Sequence, residues 1–310
     1  MKIGKYLKAG FRFLKDPYYR FLILSGKGLY NNLSDEEFVT KMYRAVEGED
    51  LDLSNPKSFS AKLQWLKLFN RKSIYSIMVD KYRARDFVKE KIGEQYLIPL
   101  IGVWDSPDDI DFDKLPDKFV LKCNHNSGLG MCICKSKRDI DWKKVKDELD
   151  RGIKQDYYLR WREWPYKNVP RKIICEQFMI DNSTDGTLTD YKFFCFNGEP
   201  KIMYISHDAS ENATTDFYDM DFVKLPIRMK DPNSDKVMQK PECFEEMKEL
   251  ARVLSKDVPF LRVDFYYINN SIYFGELTFF HNAGFVKIYP EEWNYILGDW
   301  VKLPAKQYNC

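Results

Sequence analysis

The sequence predicts an α+β fold, in which helices and strands interleave without the steady strand–helix–strand alternation of a doubly wound sheet. Helix-period apolar patterns come first, over residues 35–92, and strand-like runs rich in β-branched and aromatic residues follow. A hairpin with two aromatic arms closes the order of core elements at residues 262–278. The chain of 310 residues is 44% apolar and 16% aromatic, which is enough for one large domain or for two to three small lobes.

Each element is predicted from its periodicity and from the turn residues beside it. Helices are predicted over residues 35–47, 57–69, 80–92, 142–158 and 241–255. Strands are predicted over 96–103, 119–123, 131–135, 172–180, 189–196 and 200–206, with a polar loop over 208–216. The predicted organisation is a basic helical segment over 1–50, a helical region over 51–115, a smaller lobe over 116–180 and a larger lobe over 181–310 that contains the hairpin.

The first 30 residues are basic and amphipathic. They contain seven lysines and arginines against the single acid Asp16. Apolar residues recur at helical spacing until Pro17 interrupts the pattern, namely Ile3, Leu7, Phe11 and Leu14. Residues 1–25 therefore either lie on an anionic membrane surface or pack their apolar stripe onto the body of the protein or a partner.

Composition argues against several other classes of protein. The formal net charge of +2 is nearly balanced, so it does not indicate a protein that binds nucleic acid through its overall charge. No run of 18 apolar residues and no signal-peptide pattern is present. The seven cysteines are odd in number, and Cys132 and Cys134 have the wrong spacing for a zinc knuckle. We predict reduced thiols in a cytoplasmic protein, peripheral on the inner membrane face if the basic segment binds there.

The hairpin carries charges that converge in only one register. Arg262 and Asp264 lie on its first arm, and Glu276 and Thr278 on its second. A two-residue loop would send Glu276 to the face opposite Asp264, whereas a three-residue loop over 269–271 pairs Asp264 with Glu276. Two facing carboxylates suit Mg²⁺, and an arginine beside them suits a developing negative charge. The ordinary alternative is a solvated ion cluster.

Other segments carry groups suited to a nucleotide. Asn124–Gly130 is a small-residue loop between two strands, and Lys122 precedes it. Glu176 and Lys192 interrupt apolar strands, where a buried charge requires a partner. The loop could equally be an ordinary hairpin turn. Lys192 could equally bury its aliphatic stem and extend its amino group to solvent.

Taken in order, these segments resemble the ATP-grasp superfamily, in which two α+β lobes hold a nucleotide between antiparallel sheets; residues 1–50 would be a helical extension. The resemblance implies ATP and Mg²⁺ as cofactors. It implies nucleotide contacts from Lys81, Lys122, Ser127, Gly128, Glu176, Gln177, Met179 and Lys192. It also implies Arg262, Asp264 and Glu276 as catalytic residues, and Asp264, Glu276, Thr278 and Asn282 as metal contacts. Thr278 stands where the superfamily commonly has asparagine, which leaves the number of metal ions open.

Within the superfamily, three segments resemble the TupA-like (teichuronopeptide-biosynthesis-like) branch, which is found among bacterial capsule and surface-polysaccharide genes. They are residues 58–67, 122–128 and 276–284. Asn126 departs from the branch's usual glycine in the loop.

The resemblance implies an ATP-dependent carboxylate–amine ligase that acts through an acyl-phosphate, for example joining an amino acid to a uronic acid of a glycan or a lipid-linked sugar. One alternative is a kinase that phosphorylates a sugar or polyol hydroxyl. Another is a glycosyltransferase-like or non-catalytic polysaccharide-assembly protein. Candidate substrate contacts are Arg160, Arg162, His125 and His281. A substrate carboxylate held by the two arginines favours the ligase.

Overall fold

The computed structural model describes residues 11–182, 188–207 and 213–306. Residues 11–15 are helical and lead into α1 (Pro17–Ser25). The later helices are α2 (Asp35–Glu47), α3 (Phe59–Phe69), α4 (Ser73–Met78), α5 (Ala84–Ile92), α6 (Trp142–Lys154), α7 (Tyr158–Trp161), α8 (Phe244–Ser255) and α9 (Glu292–Trp300). The strands are β1 (Leu100–Trp104), β2 (Phe119–Cys123), β3 (Met131–Cys134), β4 (Ile173–Gln177), β5 (Thr189–Phe196), β6 (Glu199–His207), β7 (Thr214–Asp219), β8 (Lys224–Leu225), β9 (Phe260–Ile268) and β10 (Ser271–Thr278).

The strands form two antiparallel sheets. The smaller sheet has the order β1-β4-β2-β3, and the larger has the order β10-β9-β5-β6-β7-β8. Apolar residues of the smaller sheet, such as Leu121 and Cys175, share a buried cluster with Val145 and Leu149 of α6. The predicted α+β architecture is thus present as two sheets, each with its own core.

The larger sheet has one face covered by α8 and a second face that is partly charged. On β5, Phe193 packs against Phe244 of α8, with ring centroids 5.6 Å apart. Side chains alternate along a strand, so Lys192 and Phe194 point the other way. Phe194 is covered by Phe59 of α3 at 6.3 Å between ring centroids. The second face is therefore apolar at one end of β5 and charged at the other.

Several element bounds differ from the prediction. The predicted helix over 80–92 begins at Ala84, since the Asp80 carboxylate accepts the backbone N–H groups of Tyr82 and Arg83 and turns the chain before the helix. The strand predicted from residue 96 begins at Leu100. That strand pairs with β4, although it lies in the stretch predicted as a separate helical region. The four domain bounds remain a prediction.

The N-terminal helices form a small apolar cluster of their own. Phe21 of α1 packs on Tyr30 and on Phe38 of α2, at 4.5 and 5.7 Å between ring centroids. Phe11 and Leu14, in contrast, are 61% and 74% exposed. The segment therefore packs one side onto the protein and leaves other apolar side chains outside; residues 1–10 of the predicted amphipathic stretch lie outside the described residues.

Neither a membrane span nor a disulfide is found in the described part of the chain. None of its helices is long and apolar enough to cross a bilayer. Its six cysteines are free.

Candidate active site

The hairpin pairs Asp264 with Glu276, but through a turn other than the three-residue loop. Its turn is the two-residue loop Asn269-Asn270, with both residues at positive φ, so the three-residue loop was wrong. A bulge at Gly275 then shifts the ladder by one residue and places Glu276 opposite Asp264. A β-carbon on Gly275 would lie 3.1 Å from the Asp264 carbonyl oxygen, so a residue without a side chain suits this close approach.

Arg262 is the centre of the hairpin's charged face. Its Nε and Nη2 donate to the two carboxylate oxygens of Asp264, at 2.7 and 2.6 Å. Nη2 also donates to Oε1 of Glu276 at 2.5 Å, and Nη1 donates to Nδ1 of His281 at 3.2 Å. A guanidinium only donates, so His281 accepts through a neutral ring. Burial and the Arg262 cation hold the pKa of His281 well below its ordinary value.

Lys192 extends this cluster onto β5, where it lies in register with Asp264. Its Nζ lies 3.0 Å from Oδ2 of Asp264 and also contacts the carboxylate of Asp190. Burial raises the pKa of Asp190 to about 6, although the Lys192 charge opposes the shift. Asp190 was missed in the site prediction, yet its position two residues before Lys192 on a strand places both on one face.

The balance of charge keeps Glu276 ionised. Burial raises the pKa of this carboxyl, but the Arg262, Lys81 and Lys192 cations outweigh burial and lower it to about 2. Lys81 belongs to the segment before α5, so the hairpin and the helical region share one electrostatic site.

A second group of predicted residues gathers on the smaller sheet. Glu176 on β4 is held between Lys122, at 2.5 Å, and Arg85 of α5, at 3.2 Å. Burial lowers the pKa of Lys81, and the Lys122 charge adds to this, while Glu276 and Glu176 oppose it. Lys81 and Lys122 therefore lie close enough to repel each other, with carboxylates of both sheets nearby.

The small-residue loop between β2 and β3 is fixed at its start and open at its tip. The side chain of Asn124 donates to Asp80 at 2.7 Å, and Asn126 donates to the Gly152 carbonyl at 3.2 Å. Lys81 Nζ donates to the Asn126 carbonyl at 2.6 Å. Ser127 and Gly128, by contrast, are exposed. A β-carbon added to Gly128, whose φ is +84°, would meet nothing within 4 Å, so the tip leaves room for a ligand.

The structure does not bring every predicted site residue to the hairpin. Arg162 is buried, and its Nη2 donates to three backbone carbonyls at Tyr30, Asn31 and Leu33. His125 is also buried, with Nε2 3.2 Å from the Gln155 carbonyl of the turn after α6. These contacts give both side chains a role in holding the fold, and the prediction that they contact substrate remains a prediction.

The remaining predicted residues are accessible or partly so. Arg160 is exposed and lies over the Trp161 ring, 5.8 Å from its centroid. Gln177 is exposed and Met179 half-buried at the end of β4. Thr278 donates its hydroxyl to Oε1 of Glu276 at 3.2 Å, and the amide of Asn282 lies 2.9 Å from Nε2 of His281. Thr278 and Asn282 therefore border the hairpin cluster.

Two buried groups of opposite charge that the sequence did not reveal, Lys67 and Glu163, lie near this cluster and influence each other electrostatically. Glu163 is 5% exposed, and Lys67 of α3 is fully buried, with Nζ bonded to the Ala283 carbonyl at 2.7 Å. Burial raises the pKa of Glu163 to about 7 despite the Lys67 charge, and burial lowers that of Lys67 to about 7. Glu276 and Arg262 also influence Glu163, so its carboxyl belongs to the same electrostatic environment.

The oxygen donors of the hairpin fit a magnesium ion that is shared with a phosphate. In the described stretches, no group of three or more His, Cys, Asp or Glu side chains is arranged to hold a metal alone. Mg²⁺, however, is commonly bound by one or two carboxylates together with waters and substrate phosphates. Asp264 and Glu276 supply those two carboxylates, and the Thr278 hydroxyl lies beside them.

A family model describes most of this chain. The model for the TupA-like ATP-grasp family matches residues 61–302, which contain both sheets and the hairpin cluster. The chain belongs to the TupA-like ATP-grasp family. The predicted family and the predicted ATP-grasp fold are thereby confirmed. No curated protein sequence shows a significant match to this chain.

Several solved enzyme structures align with this chain at low sequence identity. D-alanine–D-alanine ligase from Helicobacter pylori is 14% identical, with a TM-score of 0.44 over 80% of this chain and 70% of that one. The same enzyme from Bacillus anthracis, complexed with ATP, is 14% identical, with a TM-score of 0.38 over 65% of this chain. N5-carboxyaminoimidazole synthase from Aspergillus clavatus is 11% identical, with a TM-score of 0.38 over 69% of this chain. This TupA-like chain spans 53% of the Bacillus enzyme and 46% of the Aspergillus one.

Proposed function

We propose that this protein is an ATP- and Mg²⁺-dependent carboxylate–amine ligase that acts through an acyl-phosphate. The observation that carries the proposal is the cluster in which Arg262 contacts Asp264 and Glu276, with Lys192 beside them. Family membership supports the predicted enzyme class. ATP, when bound with Mg²⁺, supplies a phosphoryl group whose charge the metal neutralises.

The proposed roles of the chain's own residues follow from their positions. Lys81 and Lys122 bind phosphate from the side of the smaller sheet, and Lys192 binds it from the larger. The backbone of the exposed loop tip at Ser127 and Gly128 closes over the phosphates. Glu176, with Gln177 and Met179 after it, lines the adenine. Arg262 stabilises the oxyanion that forms when the amine attacks.

The proposed reaction proceeds in two balanced steps. A substrate carboxylate oxygen attacks the γ-phosphorus, and ADP leaves with the electron pair of the broken bond. The amine nitrogen then attacks the carbonyl carbon of the acyl-phosphate, inorganic phosphate leaves, and the nitrogen loses a proton. No protein nucleophile is needed. The main alternative is a kinase, in which a sugar hydroxyl replaces the carboxylate and the reaction ends after one step.

We further propose that the acceptor belongs to a bacterial surface or capsular polysaccharide, as a glycan or a lipid-linked sugar. The TupA-like family supports this proposal. A position on the anionic inner face of the membrane accords with it, because Phe11 and Leu14 are exposed beside the basic residues Arg12 and Lys15. The cytoplasmic location remains part of this proposal.

Trapping with hydroxylamine tests the ligase against the kinase. Hydroxylamine converts an acyl-phosphate into a stable hydroxamate, whereas a sugar phosphate does not react. We expect ADP and hydroxamate from Mg-ATP with D-glucuronate as the carboxylate probe, and loss of both in Asp264→Asn. Asp299→Asn, which changes an exposed acid on α9, is the matched control. If ADP and a phosphorylated sugar form without hydroxamate, the ligase proposal is wrong and the protein is a kinase.

A further inference from the structure

A cavity of about 180 Å³ opens on the charged face of the larger sheet. One line of residues, each opposite the next on the neighbouring strand, runs across the sheet from the hairpin to this cavity. In order, these residues are Glu276, Asp264, Lys192, Tyr204 and Phe217. Tyr204 and Phe217 line the cavity. Neighbouring strands are about 4.8 Å apart, so the cavity begins about 5 to 10 Å from Lys192.

The floor of the cavity is formed by two almost fully buried aromatic side chains, Tyr204 and Phe217, which are 7% and 1% exposed. The rings of Tyr204 and Phe217 have centroids 5.2 Å apart and an interplanar angle of 36°. Cζ of Arg262 and Nζ of Lys192 each lie 6.0 Å from the centroid of the Tyr204 ring. A ligand that lies on this floor is therefore beside both positively charged groups.

The wall nearest the hairpin is His281. Its ring packs against Tyr204 at 5.4 Å between centroids, and its Nδ1 accepts the hydrogen bond from Arg262. The same imidazole thus borders the cavity and orients the guanidinium. A group bound at this end of the cavity lies next to Arg262.

The rim away from the hairpin carries two hydroxyl groups, one positively charged side chain and one negatively charged side chain. Ser206 and Thr215 supply hydroxyls, and Lys230 and Asp231 supply one charge of each sign. Neither charged side chain forms an ion pair with any residue that the structure describes. Asn233 fixes this rim, since its Nδ2 donates to the carbonyls of Thr215, at 3.0 Å, and Ile227, at 2.8 Å.

We propose that this cavity is the acceptor site and that it binds a single sugar-like ring. The hydroxyls of the ring bond the polar groups that line the cavity, and the buried side chains of Tyr204 and Phe217 close its floor. A carboxylate on the ring is directed past His281 towards Arg262. The inference rests on the proposed function, because the carboxylate is placed where activation by ATP would occur.

Size and chemistry both favour one ring. The volume of about 180 Å³ is below the roughly 300–1,000 Å³ of pockets that bind drug-sized ligands, so the cavity does not enclose a second ring. A small cavity lined by hydroxyls, an amide and charged groups complements a single ring that carries several hydroxyls. Any further sugar of a longer glycan therefore extends outwards past Lys230.

Methyl NMR of the whole protein tests the proposal directly. Met229 lines the cavity and is a local reporter, whereas Met42 lies in the separate N-terminal cluster and is a reference. We expect D-glucuronate, used as the probe, to shift the Met229 methyl resonance and not that of Met42. Thr215→Val removes one cavity hydroxyl without changing its shape, and we expect it to weaken binding about three- to tenfold. Thr214→Val, on the opposite face of β7, is the matched control and should bind as the wild type does.

Each other outcome overturns the proposal. An unmoved Met229 methyl at saturating D-glucuronate, or equal binding by Thr215→Val and Thr214→Val, excludes a sugar site here. A shift caused by L-glutamate but not by D-glucuronate makes the cavity an amino-acid site. The titration is run without nucleotide and again with a non-hydrolysable ATP analogue and Mg²⁺. Stabilisation by Mg-ATP is measured separately, so failure of the nucleotide site is distinguished from failure of the cavity.

Discussion

Asp264 and Glu276 lie directly opposite each other across β9 and β10, and the guanidinium of Arg262 contacts both carboxylates. Their alignment depends on the bulge at Gly275, because the two-residue turn alone would place Glu276 on the other face. One glycine thus determines whether two carboxylates converge on a single ligand.

Gly275→Ala is expected to disturb this alignment. The new β-carbon would lie 3.1 Å from the Asp264 carbonyl oxygen and 3.2 Å from the Tyr266 ring. We expect a loss of about 1–2 kcal/mol in the free energy of unfolding, together with weaker binding of Mg-ATP. Urea unfolding and nucleotide titration measure the two effects. Gly26→Ala, where the nearest atom is 3.5 Å away, is the control and should change neither. Unaltered nucleotide binding in Gly275→Ala would show that the bulge does not position the carboxylates.

Arg262→Lys is expected to lower the rate constant of turnover much more than it lowers ATP binding. Lysine keeps the charge but loses the paired hydrogen bonds to Asp264. Removing an oxyanion donor typically costs about 10²–10³ in kcat, and we expect a loss of that order. Steady-state kinetics with ADP release as the readout measure it. A change confined to KM would assign Arg262 to ground-state binding and not to the oxyanion.

Changing Phe11 and Leu14 to serine together is expected to abolish co-sedimentation with anionic liposomes. Burial of large apolar side chains is worth about 1.5–3 kcal/mol each, so losing both weakens binding at least tenfold. This double variant is a cleaner test than deleting residues 1–25, because α1 also carries Phe21, which packs on α2. Tyr295→Ser, at another exposed aromatic position, is the control. Sedimentation that persists in the double variant would refute membrane binding through this surface.

Protonation of His125 is expected to destabilise the protein in mild acid. Burial lowers the pKa of His125 below its ordinary 6.5, although the Gln155 carbonyl partly opposes the shift. The unfolded chain therefore takes up the proton first, so stability is retained above pH 6.5 and is lost as pH falls below it. One such group contributes at most about 1.4 kcal/mol per pH unit. Unfolding free energies between pH 7 and 5 should fall less steeply in His125→Gln than in the wild type; equal slopes would contradict this assignment.

Local patterns predicted most of the elements because each is encoded over a short window. Strand β5 occupies the predicted residues 189–196, and α2 occupies the predicted 35–47, with its start fixed by the capping box of Ser34 and Glu37. The pairing of Asp264 with Glu276 was also predicted, but for the wrong reason. The bulge at Gly275 depends on how the backbone packs across two strands, which no local pattern records.

Contacts between distant segments explain what the sequence did not reveal. Arg162 was expected at the substrate, yet three carbonyls some 130 residues earlier in the chain bind its guanidinium. Glu163 and Lys67 influence each other electrostatically because the fold brings α3 near the loop that follows α7. Asp190 is different, since its two-residue spacing from Lys192 was a visible signal of a shared strand face.

Thermal unfolding with and without Mg-ATP tests the central claim most directly. Binding to the native state stabilises by about 2.7 kcal/mol when the ligand is at a hundredfold excess over Kd. We predict a Mg²⁺-dependent rise in Tm for the wild type, a much smaller rise for Asp264→Asn, and a full rise for Asp299→Asn, which changes an exposed acid on α9. Circular dichroism confirms that each variant is folded before ligand is added. An equal rise in Asp264→Asn and the wild type, or none in either folded protein, would contradict a nucleotide site built on Asp264 and Glu276.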